Sequence, residues 1–351
     1  MNRNQTDSHI IPCSESVKTA LDRLDALSGG SMLLFAVDRE GRLCGSVTDG
    51  DIRRALLRGV RLDEDVSEAM NSRYTAITPG DDTTALVAEG KRRHLHLLPV
   101  TDGKGRIENI INIDVIEALL PLDAVLMAGG KGERLRPLTL DTPKPLLKVG
   151  GKPIIDRNIE ALERFGINNI FVTVNYLHEQ IEEHFRLRNE KAAEHQASVE
   201  CVLEPSRLGT LGSVALVRGL SHDNLLVMNS DLLTAIDFEK MWMHHVESEA
   251  ALTMAGVPYT VSVPFAIMRT EGSRVTGLEE KPTYNYFANG GVYMMRKELL
   301  DRIPKGEYLD APDFIETLIA GGLKVELFPI EGRWIDIGSP DDFKTANELL
   351  S

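Results

Sequence analysis

The sequence predicts an α/β protein in which a Rossmann-like, mainly parallel sheet is preceded by a smaller α+β portion. Three observations carry that expectation. From Asp123 onward, short apolar runs alternate with helix-like segments, the pattern of parallel strands joined by crossover helices. The apolar run Ala124–Ala128 empties into a loop of glycines and cations, and open α/β sheets gather their ligands at the carboxyl ends of strands. The first 120 residues contain an internal repeat, each copy too small to bury both faces of its own sheet and so expected to pack on the other.

The repeat comes first along the chain. Leu33–Leu57 reads strand, glycine turn, strand, amphipathic helix, and Leu97–Leu120 reads the same way. Helix-like segments precede the two copies at Ser16–Ser28 and Asp82–Arg93. The chain is expected to divide at Pro121, into domains of residues 1–120 and 122–351. Beyond that point strands are expected at Ala124–Ala128, Asn169–Val174, Ser198–Leu203, Asn224–Met228 and Ala251–Val257. Helices are expected at Ile154–Phe165, Glu179–Arg186, Leu211–Arg218, Phe238–Glu247 and Pro340–Leu350. The runs Phe265–Arg269, Val275–Glu279, Phe287–Met295 and Lys324–Ile330 read as strands of a less regular region.

A length of 351 residues suits about two domains, and 42% hydrophobic with 26% charged residues is ordinary for a globular protein. The net charge of −14 argues against nucleic acid or an anionic membrane as partner. It also means that a polyanionic ligand needs a local basic pocket. No apolar run is long enough to span a bilayer, and Met1–Ser8 is too polar for a secretory signal. The three cysteines, Cys13, Cys44 and Cys201, form no C-x-x-C pair and fit free thiols in a reducing, cytoplasmic setting.

The loop after the first C-terminal strand supplies such a pocket. Leu126–Pro145 reads L-M-A-G-G-K-G-E-R-L-R-P-L-T-L-D-T-P-K-P. Gly129, Gly130 and Gly132 let backbone N–H groups approach an anion, while Lys131, Arg134, Arg136 and Lys144 supply charge for phosphate oxygens. Pro143 and Pro145 fix the backbone around Lys144. A Walker loop is absent, and Leu135 stands where a dinucleotide fingerprint would place its third glycine.

The run G-x-G-x-R-L-x-P-L-T followed by P-K-P-L resembles the signature of the sugar-1-phosphate nucleotidyltransferases. The resemblance implies transfer of a nucleotidyl group from an NTP to a sugar 1-phosphate, with release of pyrophosphate. It implies Arg134 and Lys144 as catalytic residues and Ala128, Gly129, Gly130 and Gly132 as nucleotide-binding residues. Glu204 with Leu208-Gly209-Thr210-Leu211-Gly212 resembles the family's run at the base-binding edge, making Glu204, Gly209 and Thr210 further nucleotide contacts, with Gly209 and Gly212 admitting the base to the backbone. Asn229-Ser230-Asp231 stands where the family has N-G-D, and Trp334-Ile335-Asp336-Ile337-Gly338 matches W-x-D-x-G. Asp231 and Asp336 are thereby expected to hold one Mg²⁺, which usually takes one or two carboxylates together with substrate phosphates. Glu280-Lys281-Pro282 and Asn289-Gly290-Gly291-Val292-Tyr293 resemble the sugar-phosphate-binding runs, through Glu280, Lys281, Asn289 and Gly290.

Within the repeats, Gly45-Ser46-Val47-Thr48-Asp49-Gly50-Asp51 resembles the G-h-h-T-x-x-D run of paired CBS modules, which implies an adenine nucleotide on Thr48 and Asp51. The same two residues suit the cap of the following helix, and one role does not displace the other. The second copy departs, with Asn109, Asn112 and Asp114 at the matching places, so one nucleotide site or none is expected. A CBS pair ahead of such an enzyme resembles the glucosamine-1-phosphate guanylyltransferases of nonulosonic (legionaminic) acid synthesis. That implies GTP, a hexosamine 1-phosphate and a homo-oligomer. The alternatives are a thymidylyl- or uridylyltransferase, or a catalytically idle nucleotide sensor.

Overall fold

The computed structural model describes residues 3–191 and 197–350 and divides the chain into two compact units, one essentially of residues up to Leu120 and the other of Pro121 onward. The N-terminal unit runs α1 (Arg3–Ser8), β1 (Ile10–Pro12), α2 (Val17–Ala26), β2 (Leu33–Val37), β3 (Leu43–Thr48), α3 (Asp49–Leu57), α4 (Thr83–Arg92), β4 (Leu97–Thr101) and β5 (Ile107–Asn112). Strand β1 pairs parallel with β2, and both β2–β3 and β4–β5 are antiparallel hairpins.

The repeat is visible atom by atom in the two hairpin turns. Asp38 Oδ1 accepts from the N–H groups of Glu40 and Arg42 at 2.8 and 2.9 Å. Asp102 Oδ1 does the same for Lys104 and Arg106, both at 2.8 Å. Each aspartate also receives the Nε of its arginine, and each turn closes on a glycine in the left-handed region, Gly41 at φ 78° and Gly105 at φ 79°. The two copies share a cluster of Phe35, Leu43, Leu97 and Ile110, so neither hairpin buries its inner face alone.

The copies differ after their second strand. In the first, Thr48 Oγ1 accepts from the N–H of Asp51 at 3.2 Å and the Asp51 carboxylate accepts from the N–H of Thr48 at 3.0 Å. This capping box starts α3. In the second, Asn112 Oδ1 accepts from the N–H of Asp114 at 3.0 Å, which closes an Asx turn, and Val115 stands where the returning carboxylate would be needed. The helix expected at the end of the second copy does not form: 113–120 is irregular.

The C-terminal unit runs β6 (Asp123–Met127), the small hairpin β7 (Lys148–Val149) and β8 (Lys152–Pro153), α5 (Ile154–Arg164), β9 (Asn169–Val174), α6 (His178–Lys191), β10 (Ser198–Leu203), α7 (Gly209–Gly212), β11 (Asn224–Asn229), β12 (Leu232–Thr234) and α8 (Phe238–Glu247). It continues with β13 (Leu252–Ser262), β14 (Ile267–Glu271), β15 (Arg274–Glu279), β16 (Thr283–Arg296), α9 (Ala311–Ala320), β17 (Val325–Pro329), β18 (Trp334–Asp336) and α10 (Pro340–Leu349). Seven strands form the main sheet in the order β10-β9-β6-β11-β16-β13-β17. The first four are mutually parallel, β16 is antiparallel to both its neighbours, and β17 is parallel to β13. Val125, Phe171 and Leu252 from this sheet join Phe314, Ile315 and Leu318 of α9 in one apolar core.

Two departures from the sequence reading have local causes. The helix expected at Leu211–Arg218 is only the single turn α7 and a 3₁₀ turn: Leu211 and Gly212 donate their N–H groups across to Leu309 O at 3.0 and 3.2 Å, and Val217 is already extended at ψ 136°. The strand expected at Ala251–Val257 runs on to Ser262, pairing with β16 out to Ser262↔Thr283. That part of the β13–β16 ladder forms an exposed arm, with Tyr259, Tyr286 and Phe287 each more than half exposed.

Candidate active site

The glycine loop leaves β6 at the carboxyl end of the parallel strands. Gly132 takes φ 59°, and Thr139 Oγ1 donates to Gly132 O at 2.8 Å, folding the loop back on itself. A cleft of ≈ 220 Å³ opens beside it, lined by Ala128, Gly129, Gly130, Lys144, Glu204, Gly209, Thr210 and Asp231 among others. Stretches far apart in the sequence thus meet in one place. No atom stands within 4 Å of where a side chain on Gly130 would begin, so this backbone is open to a ligand.

Glu204 follows β10 and is only 6% exposed, although it is ionisable. Burial pushes its carboxyl above the ordinary 4.5, opposed by the Leu208 N–H and the Thr173 hydroxyl. A Cβ on Gly129 would lie 2.4 Å from Glu204 Oε1, so glycine at 129 is what lets the carboxylate lean over the loop.

Asp231 and Asp336, more than a hundred positions apart, are brought together by the two-stranded β12–β18 ladder. Leu232 pairs with Asp336 there, and the Ile337 N–H donates to Asp231 O at 3.2 Å. Lys144 stands between the two carboxylates: its Nζ donates to Asp231 Oδ2 and lies 3.7 Å from Asp336 Oδ1. Burial and the neighbouring Asp231 raise the Asp336 carboxyl, against the pull of Lys144 and Arg134. Asp231 Oδ1 is buried with no hydrogen-bond partner. Two facing carboxylates with an unpartnered oxygen suit a hard cation that takes its remaining ligands from phosphate and water. Arg134 packs on Gly338, where a Cβ would be 2.9 Å from its guanidinium. Ser230, in place of the family's glycine, turns its hydroxyl back to Met127 O at 2.8 Å and leaves the cleft wall intact.

Thr210, Gly209 and Gly212 also hold the segment around Asp310. The Thr210 N–H and hydroxyl donate to Asp310 Oδ1 at 3.1 and 3.3 Å, and its hydroxyl accepts from the Ala311 N–H at 2.6 Å. A Cβ on Gly209 would meet Leu309 O at 2.7 Å, and one on Gly212 would meet Glu307 O at 2.6 Å. The L-G-T-L-G run is therefore a backbone dock for residues 307–311 whose glycines that chain requires, while Gly209 and Thr210 also line the cleft. Asp310 and Arg207 line the cleft and were not anticipated. Arg207 sat in plain view between Glu204 and Gly209. Asp310 carries no signal beyond a proline two residues on. Burial disfavours the Asp310 charge, but Tyr308, Thr210 and Arg207 more than compensate and hold it below the usual range.

Asn289 and Gly290 lie next to the motif residues: Trp334 Nε1 donates to Gly290 O at 2.9 Å, and a Cβ on Gly291 would be 2.6 Å from Asn229 Nδ2. Asn289 exchanges hydrogen bonds with the Tyr293 hydroxyl at 2.7 and 3.1 Å. Glu280 and Lys281 are not brought into the cleft. They sit exposed on the turn before β16, beyond the tip of the arm.

In the N-terminal unit, Thr48 and Asp51 cap α3 and also line a separate cavity of ≈ 320 Å³ with Phe35, Arg54, Arg73 and Arg93.

The nucleotidyl transferase family model matches residues 123–351, and the CBS domain model matches residues 4–58. The chain belongs to the nucleotidyl transferase family. Mannose-1-phosphate guanylyltransferase catalytic subunit beta of Xenopus tropicalis is 33% identical over 236 residues, covering 64% of this chain and 63% of that protein. The chain thus spans under two thirds of the length of the mannose-1-phosphate guanylyltransferases it matches. D-glycero-alpha-D-manno-heptose 1-phosphate guanylyltransferase of Aneurinibacillus thermoaerophilus is 30% identical over 65% of this chain and 98% of that protein. The fold matches the crystal structure of HddC from Yersinia pseudotuberculosis with a TM-score of 0.52 and 24% identity, covering 66% of this chain and all of that one. This nucleotidyl transferase has no helix, among its described residues, long and apolar enough to cross a membrane.

Proposed function

We propose that this chain transfers a guanylyl group from GTP to a sugar 1-phosphate, releasing pyrophosphate. The arrangement of a CBS module ahead of the catalytic unit favours a hexosamine 1-phosphate. The observation that carries the base is the buried Glu204 carboxylate on the cleft wall. Guanine presents two adjacent donors, N1–H and N2–H₂, and an ionised carboxylate offers two acceptors side by side. Uracil and thymine present one donor flanked by acceptors, which would leave carboxylate and carbonyl oxygens opposed. The two guanylyltransferase relatives support the same base.

In the reaction, a sugar-phosphate oxygen attacks the α-phosphorus in line. The bond to the bridging oxygen of pyrophosphate breaks, and pyrophosphate departs with the electron pair. The nucleophile is already anionic, so no general base is needed. The work is to bring two polyanions together: unit charges about 4 Å apart repel by about 4 kcal/mol at an effective dielectric of 20. Arg134 would face the departing pyrophosphate and Lys144 the transferring phosphate. Asp231 and Asp336 would hold Mg²⁺, which when bound screens the phosphates and orients them. Lys281 would meet the sugar phosphate with Glu280 on a sugar hydroxyl, and Asn289 and Gly290 would face the sugar. The N-terminal unit would adjust this chemistry by binding an adenine nucleotide in the cavity at Thr48 and Asp51.

Pyrophosphate release tests the reading. Each of GTP, UTP, dTTP and ATP would be paired with glucosamine, mannose, heptose and glucose 1-phosphates. GTP should be the preferred donor, with glucosamine 1-phosphate the best acceptor. No release with any pair would leave the idle sensor as the reading.

A further inference from the structure

We propose that Lys144 is the resident counter-ion of the divalent-metal site: without nucleotide it fills the gap between Asp231 and Asp336, and it moves to the nucleotide's phosphate as the metal ion arrives. This rests on the assignment of Asp231 and Asp336 as metal ligands.

The geometry behind it is specific. The Lys144 ammonium donates to Asp231 Oδ2 and lies 3.7 Å from Asp336 Oδ1. Its side chain is only 11% exposed, so this is no solvated surface pair. The flanking prolines, Pro143 and Pro145, fix the backbone from which it reaches. Its Cβ packs under the glycine loop, 3.2 Å from where a side chain on Gly132 would begin. Removing the ammonium would leave two half-buried carboxylates, 21% and 39% exposed, facing each other, a repulsion that another cation in its place would relieve. Asp231 Oδ1 meanwhile has no partner, an acceptor that the single ammonium leaves unused.

A divalent ion and the ammonium compete for the same oxygens, and their own charges repel at this range. Metal alone must therefore expel a lysine that has nowhere favourable to go. A polyphosphate gives the ammonium a new anionic partner at the moment its place is taken. Metal and nucleotide then reinforce each other's binding beyond what direct metal–phosphate ligation supplies, and the lysine is delivered to the phosphate it serves. The glycine loop and the β12–β18 ladder are the fixed walls of this exchange, and the lysine side chain is the moving part.

The test is Mn²⁺ titration of the nucleotide-free full chain, read by the electron paramagnetic resonance signal of free Mn²⁺. Wild type should bind weakly. Lys144→Met, which keeps the length and removes the charge, should bind at least about tenfold more tightly, and adding Asp231→Asn should abolish the gain. Lys144→Gln carries the same comparison should the methionine variant not fold. Equal Mn²⁺ affinity in wild type and the neutral variants would overturn the counter-ion role while leaving the metal ligands in place. Affinity indifferent to Asp231→Asn in every protein, even with a non-hydrolysable GTP analogue present, would overturn the metal assignment and the counter-ion role with it.

Discussion

Position 129 is glycine because a carboxylate needs its space. A Cβ there would stand 2.4 Å from Glu204 Oε1, so Gly129→Ala should displace the Glu204 carboxylate without touching the phosphate loop's cations. On the proposed role of Glu204, the expected result is a loss of kcat/KM for GTP of roughly 10–100-fold in a protein that still melts cooperatively. The loop's residues were legible in the sequence because glycine, arginine and lysine at fixed spacing have few other uses. Asp310 was not legible: one aspartate a hundred positions downstream acquires meaning only when Thr210 donates to it. Asp231→Asn and Asp336→Asn should each lower turnover by about 10²-fold, and excess EDTA should abolish it; full activity in chelator would contradict the metal assignment. Lys144→Ala and Arg134→Ala should lower kcat more than they raise KM, since their charges matter most as pyrophosphate departs. A change confined to KM would assign them to ground-state binding.

Elements followed the sequence where periodicity and caps agreed. Strands β9 and β10 and helix α8 fall where the apolar pattern puts them. The reading failed where the local backbone departs from the helical pattern. After α7 and a 3₁₀ turn the chain is extended by Val217, and the second repeat lacks the reciprocal cap that starts α3. Asp123 shows how a strand end is fixed by a charge. Fully buried, it accepts from the N–H groups of Ser221 and His222, both at 2.8 Å, and from Asn169 Nδ2 at 2.8 Å. Burial alone would raise its carboxyl, but these donors outweigh burial and hold it below the ordinary 3.8. A carboxyl lowered in the folded state contributes stability above its unfolded value and loses it as pH falls through the folded one. Denaturant melts of wild type should therefore lose stability below about pH 4. Asp123→Asn should be less stable by about 1–3 kcal/mol at pH 7 and flatter across the acid range. An unchanged acid slope would assign that loss to other carboxylates. Thr48→Ala should cost about 1 kcal/mol through loss of the cap whether or not a nucleotide binds there.

At the scale of the molecule, the catalytic motifs all lie in the unit from Pro121 onward, which has its own sheet, core and cleft. Residues 123–351 alone should retain transferase chemistry, while AMP or ATP should bind residues 1–120 in calorimetry. No heat, together with unchanged kinetics in a Thr48→Ala/Asp51→Ala variant, would leave the N-terminal unit without a regulatory ligand. The division was legible because a repeat precedes Pro121 and a phosphate loop follows it. The exposed arm was not, because a strand that pairs beyond its sheet has the same sequence pattern as one that stops at the edge. The most direct test of the guanylyl assignment compares kcat/KM for GTP, UTP and dTTP in wild type and Glu204→Gln, across pH. Wild type should prefer GTP by a wide margin, and that preference should fall as acid protonates Glu204, at a pH above the ordinary 4.5. Glu204→Gln should lower the GTP value, narrow its margin over the pyrimidines and lose this acid limb. A wild type that already prefers UTP or dTTP would contradict both the guanylyl reading and the role of Glu204.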